Sequence, residues 1–394
     1  MTSASTFLCD RAAIVGIGAT EFSKNSGRSE LRLAVEAVSE AIADAGLSPS
    51  DVDGMATFTM DNNPEIEVNR YLGGGDLRFF SRTHYGGGAA CAPVLHAAMA
   101  VATGVCKAVV CYRAMNERSQ QRFGIGVQDR PPAPRAEEVH FGWHSPFGLL
   151  TPASWVAMNA QRYLFEFGAT TEAFGHIAVA DRKHAATNPK AWFYQKPITL
   201  EDHQRSRWIV DPLRLLDCCQ ESDGAVAIVI TSLERARDLR QPAVRIAAAA
   251  QGATTDQQMM TRYYSPEITG LPEMELVARQ LYGMSGIGPR DIQTAVLYDH
   301  FTPFVLTQLE AFGFCGRGEA KDFVKDGRIE LGGALPINTH GGQLGEAYIH
   351  GMNGIAEGVR QVRGSSVNPV KDVEHVLVTA GTGVPTSALV LRRD

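Results

Sequence analysis

The chain has 394 residues, 44% hydrophobic and 20% charged, with a formal net charge of −6. This is an ordinary globular composition with room for two domains or one large duplicated one, and its mild acidity, without a Lys/Arg stripe, argues against a nucleic-acid partner. No apolar run approaches the roughly 18–20 residues that span a bilayer, and "MTSASTFLCDRAAIVGIG" lacks the pattern of a signal peptide, so a cytoplasmic location is expected.

The first predicted strand, "RAAIVGIGATEF" (11–22), ends in Gly-Ala-Thr. Leu31, Ala34, Val35, Val38, Ile42 and Ala45 then recur at helical spacing, and Gly46 is placed to end the helix. Pro49 and Asp51 lead into a strand-like run, and "GGGAACAPVLHAAMAVATGVCKAVVCYRA" (86–114) runs from glycines through a helix to a strand. Residues 115–210 read differently, with helical stretches and a Pro-, His- and aromatic-rich loop, "DRPPAPRAEEVHFGWHSPFG". This is expected to be an insertion lying over the first half, a wall for a substrate pocket.

The opening pattern then returns. "VRIAAAAQGATTD" (244–256) repeats the strand ending in Gly-Ala-Thr, and Leu276, Val277, Leu281 and Tyr282 mark the second helix. Pro289 and Asp291 stand 240 residues after Pro49 and Asp51. The segment 341–383 again runs from glycines through a helix to a strand. Two copies of one α/β unit are therefore predicted, residues 1–240 and 241–394. The seven cysteines are odd in number and form no CxxC pair, so reduced thiols and no metal site are expected. His140 and His144, around Trp143, lack a third ligand and read as substrate wall or core.

Five strings in order carry a resemblance that covers the whole chain: "VGIGATEF", "HIAVADRKHAATNP", "PLRLLDCCQESDGAVAIVI", "YDHFTPFVLTQLEAFGFC" and "NTHGGQLGEAYIHGMNGI". The chain resembles the thiolase superfamily, and within it the lipid-transfer-protein branch. The resemblance implies a duplicated α-β-α-β-α fold, a dimeric core and a tunnel for acyl-CoA. It also locates the thiolase catalytic positions. Gly88 falls where the nucleophilic cysteine belongs, and Cys91 lies three residues later, about a turn down the helix. Tyr348 falls on the histidine that activates that cysteine, Tyr298 falls on the histidine that binds the thioester oxygen, and "VLVTAGTGVPTSALV" has no second catalytic cysteine. Acyl-enzyme chemistry needs an activated thiolate, so a working thiolase is not expected.

The two tyrosines are 50 residues apart, and the family fold implies that they face each other. A phenol moves protons without forming a covalent bond. This pattern is similar to that of the steroid side-chain-cleaving aldolases, a lipid-transfer-protein subfamily. The resemblance implies retro-aldol cleavage of a 17-hydroxy steroid bearing a three-carbon CoA thioester, giving a 17-ketosteroid and propionyl-CoA. It implies no cofactor apart from the CoA of the substrate, and a small OB-fold, zinc-ribbon-like partner completing a heterotetramer. Tyr348 is taken as base and Tyr298 as acid, an assignment the residues themselves leave open.

Supporting candidates follow. Asp299 and His300 either tune the Tyr298 phenol or, for Asp299, cap the next helix. His340 is a candidate for pocket lining; His350, if helical, would face away from Tyr348. Glu346 reads as a solvated charge rather than a base, and Asp61 as a residue near a dimer partner's site. Gly381 and Gly383 either donate N–H groups to the thioester oxygen or permit a turn. Two other functions stay open: a non-catalytic acyl-CoA- or lipid-binding protein, and a thiolase using Cys91.

Overall fold

The computed structural model describes residues 6–58, 61–84, 86–120, 122–125, 141–258, 260–261, 263, 265 and 267–394. Strands among them are β1 (Ala12–Ala19), β2 (Gly54–Phe58), β3 (Phe79–Thr83), β4 (Ala108–Asn116), β5 (Trp208–Val210), β6 (Leu213–Arg214), β7 (Asp223–Ser232), β8 (Val244–Gly252), β9 (Thr294–Val296), β10 (His375–Thr379) and β11 (Thr386–Arg393). β5 and β6 form a small ribbon, and the other nine lie in the order β3-β2-β4-β7-β1-β8-β11-β10-β9.

The duplication is visible in this order. In the first half, β1 and β4 flank β7 antiparallel, and β2 lies parallel to β4 and β3. In the second half, β8 and β10 flank β11 antiparallel, and β9 lies parallel to β10. The place of β3 is taken there by a single parallel bridge between Ala295 and Ile337. The halves join where Ala13 pairs with Arg245 and Ile14 with Val244.

Each sheet face buries a helical layer, because strands apolar on both faces need cover on both. The helix Glu30–Ala45 starts at Ser29, whose side chain accepts from the Arg32 amide, and ends at Gly46 in the left-handed conformation predicted for it. Its Leu33, Val38 and Ile42 pack on Val15 and Val229 outside the first half. The helices Ala92–Ala102 and Met352–Arg363 form the middle layer, where Val94, Ile355 and Val359 meet Ile228 and Leu389. The outer face of the second half is covered by Pro272–Ser285 and Thr302–Ala311. These layers make the expected α-β-α-β-α sandwich.

The insertion departs from expectation in its placement. Its helices Pro152–Phe167 and Glu172–Thr187 put Val156, Tyr163, Phe174 and Ile177 into one cluster with Met274, Leu281 and Phe304. They belong to the first half in sequence but cover the second half, whose outer face supplies matching apolar surface. Residues 126–140, with His140, lie outside the described residues, as does the side chain of Trp143. His144 is buried against Trp155 and Tyr263, a core position.

Candidate active site

Tyr298 follows β9, and its backbone is fixed on both sides. Its amide donates to Thr379 Oγ1 at 3.0 Å and Gln308 Oε1 at 3.2 Å, and its carbonyl accepts from Gln308 Nε2 at 2.9 Å. Tyr348 lies in the turn between the short helix Gly342–Gly345 and the helix Met352–Arg363. Its amide donates to Ser222 Oγ at 3.1 Å, just before β7. The two hydroxyls stand 3.1 Å apart in a hydrogen bond, with the rings nearly perpendicular at 79°. Met115, Phe123 and Cys219 pack around the pair.

Glycines make room for Tyr298. A Cβ on Gly87 would fall 1.9 Å from its hydroxyl oxygen, and one on Gly381 would fall 2.9 Å from its ring. At Gly88, where the family carries its nucleophile, a Cβ would lie 2.5 Å from the Pro385 carbonyl oxygen, so the backbone leaves no space for a thiol there. Cys91 does not replace it. Its thiol is buried against the Val378 carbonyl, and burial alone pushes its pKa up, so it holds no thiolate.

The same desolvation acts on the phenols. Burial raises both tyrosines well above the usual value, so both are protonated near neutral pH. Their hydroxyls share one hydrogen bond, in which either oxygen can donate. His300 stacks on Phe304 and touches the Tyr298 ring; burial pushes it down to about 3, so it is a neutral imidazole.

Several sequence expectations are corrected. Asp299 caps a distant helix, not the following one: its oxygens accept from the Gln343 and Leu344 amides at 2.9 and 3.0 Å, which holds the turn leading to Tyr348. His350 is not helical. It has φ of 54°, its ring lies 5.6 Å from that of Tyr348, and Nδ1 accepts from Arg113 Nε at 3.3 Å. Arg113 in turn pairs with Asp61 at 3.2 Å, both fully buried, so Asp61 is an internal anchor and presents no carboxylate to a partner's site. Glu346 is 1% exposed and accepts from Asn188 and Asn353, both at 3.0 Å, rather than being solvated. His340 is buried beside it, with Nε2 3.9 Å from Glu346 Oε2. The Gly381 N–H donates to the Gly87 carbonyl at 3.2 Å, so it is not available to a thioester oxygen. Gly383 sits against Gly88.

Sequence reasoning missed Met115, Glu117, Cys219 and Ser222. "VCYRAMNE" and "DCCQESDG" place them at strand ends in pattern, but only the pairing of β4 with β7 brings them to one spot. Among the described residues no cluster of three or more His, Cys, Asp or Glu could hold a metal. No helix among them is long and apolar enough to cross a membrane.

The duplicated sandwich with glycine turns opening its central helices defines a thiolase-like protein. Residues 252–392 match the family described as thiolase C-terminal domain-like. Human mitochondrial 3-ketoacyl-CoA thiolase superposes with a TM-score of 0.69 over 98% of this chain and 99% of that one at 13% identity, a likeness of fold alone. Other relatives are far more similar. The chain is 68% identical to a steroid side-chain-cleaving aldolase of Thermomonospora curvata, over 97% of this chain and 98% of that protein. It is 70% identical to a 17-hydroxy-3-oxo-4-pregnene-20-carboxyl-CoA lyase of Mycobacterium tuberculosis, over 98% and 100%. A solved structure named Ltp2-ChsH2(DUF35) aldolase superposes with a TM-score of 0.94 at 67% identity, over 98% and 99%. The chain belongs to the thiolase-like family of steroid side-chain-cleaving aldolases.

Proposed function

We propose that this protein is a carbon–carbon lyase that cleaves a 17-hydroxy steroid carrying a three-carbon CoA thioester side chain, releasing a 17-ketosteroid and propionyl-CoA. The observation that carries the reading is the hydrogen-bonded pair Tyr298–Tyr348 in a site with no activated thiol. The names of two curated relatives, 68% and 70% identical, support the substrate class.

Because both phenols start protonated, the chemistry is a relay rather than attack by a phenolate. The substrate hydroxyl gives its proton to Tyr348 Oη as the Cα–Cβ bond breaks. Tyr348 passes its own proton 3.1 Å to Tyr298, and Tyr298 delivers its own to the enolate carbon. The O–H pair becomes the ketone π bond, the C–C pair becomes the enolate, and both phenols end protonated. No cofactor is needed beyond the CoA of the substrate. In the same reading the enzyme is cytoplasmic and a homodimer at its core. It assembles with a small OB-fold, zinc-ribbon-like subunit into a heterotetramer; the DUF35 component named in the solved neighbour supports that partner.

The test co-expresses the chain with a DUF35-type partner, supplies the 17-hydroxy steroid CoA ester and follows propionyl-CoA by mass spectrometry. Tyr348→Phe and Tyr298→Phe are each expected to lower the rate by about 10²–10⁴-fold. Undiminished product in both variants would move the chemistry elsewhere. Tight ester binding without product from the wild type would favour a lipid carrier.

A further inference from the structure

Glu117 follows the last residue of β4, two positions after Met115 of the tyrosine cluster. It is 4% exposed, and its Oε2 meets no hydrogen-bonding partner among the described residues. A buried carboxyl oxygen without a partner is costly, so it calls for a ligand that arrives later.

The groups around Glu117 do not neutralise it as an ion. Lys24 is committed to Gln220 Oε1 at 3.0 Å and the Glu221 carbonyl at 2.6 Å, with Arg118 facing it. Arg113 is committed to Asp61 and His350, and Glu221 to Arg122 at 2.7 Å. Glu221 also repels a charge on Glu117, and Cys219, Tyr298 and Tyr348 are neutral groups facing it. Burial therefore dominates and raises Glu117 well above the usual carboxylate range, against smaller opposing contributions from the Ser222 amide, Arg113 and Lys24.

A neutral carboxylic acid has a proton to donate. The phenols, which interact electrostatically with Glu117, are bonded to each other. The retro-aldol step, on which this inference rests, puts negative charge on the thioester oxygen, and the Gly381 N–H is already spent on Gly87. We propose that Glu117 acts as a neutral carboxylic acid and donates a hydrogen bond from Oε2 to the substrate's thioester oxygen as that oxygen becomes an enolate oxygen. An ionised carboxylate at this place would oppose the enolate, whereas a neutral donor stabilises it.

The experiment uses the co-expressed complex with Glu117→Gln and Glu117→Ala. Wild-type kcat/KM should fall on the alkaline side as the carboxyl ionises. Glu117→Gln, still a donor but unable to ionise, should stay within about tenfold of wild type and lose that limb. Glu117→Ala should lose about 10²–10³-fold. A glutamine variant as inactive as the alanine one, or an alanine variant with full activity, overturns the proposal. A second readout does not need turnover: infrared spectra of bound propionyl-CoA labelled at its thioester carbonyl. That band should shift to lower frequency on binding to wild type and lose the shift in Glu117→Ala; equal shifts in both overturn the proposal. An inactive wild type that still shows the shift would sink the retro-aldolase reading alone.

Discussion

The Gly87 α-carbon and the Tyr298 hydroxyl are in such close contact that a methyl group on Gly87 would lie 1.9 Å from the phenol oxygen. A glycine that looks like turn punctuation is thus a wall of the tyrosine pair. Tyr298 cannot move aside easily, since its backbone is held by Thr379 and Gln308 and its ring by Gly381. Gly87→Ala should therefore displace the phenol by about 1 Å and lower turnover by ~10²-fold. Overpacking should cost about 1–3 kcal/mol of stability. Steady-state kinetics beside urea unfolding checks both; an alanine variant with normal turnover would show that the pair tolerates displacement.

The tyrosines should behave as one unit. In a relay neither phenol works without the other, so the double variant Tyr298→Phe/Tyr348→Phe should be hardly slower than either single one. A double-mutant cycle in kcat is the measurement. Effects that multiply would mean independent roles.

Arg113 links Asp61 to His350, and through that ring to Tyr348. Arg113→Met would leave the Asp61 carboxylate buried and unpaired. A loss of about 3–5 kcal/mol is expected from urea midpoints, because the desolvated charge loses its counterion. Removing both charges together, with Asp61→Asn added, should recover part of it.

Thiol chemistry should be silent. Burial raises the Cys91 and Cys219 thiols, and neither holds a thiolate near neutral pH. Turnover should survive iodoacetamide at pH 7, and Cys91→Ala should remain active. Rapid inactivation that Cys91→Ala prevents would revive a thiolase reading.

Two histidines make stability depend on pH. Burial pushes His300 down to about 3 and His184 to about 4, against roughly 6.5 in an unfolded chain. The unfolded state therefore binds more protons between those limits, so this stability is complete above about pH 6.5 and lost as pH falls toward 3. Each histidine should contribute up to ~1.4 kcal/mol per pH unit in that window. Urea midpoints of wild type and His300→Phe at pH 7.5 and 5.5 should diverge by about this slope, with the variant the less sensitive.

Short strings of neighbouring residues, compared along the chain, carried the duplication and the amphipathic helix ending at Gly46, and the family resemblance singled out Tyr298 and Tyr348. Tertiary structure decided the rest. The 3.1 Å contact between the phenols depends on where two chain segments 50 residues apart are held by Thr379 and Ser222. Glu346 reads as a surface charge on its own, yet Asn188, far away in the insertion, buries and binds it. His350 looks helical until its φ of 54° turns the ring toward Tyr348. Glu117 does not stand out in the sequence, since its burial, which raises its pKa, comes only with the fold. Periodicity is a short-range property and survives in one sequence; burial, pairing and protonation are set by neighbours that only the fold brings together.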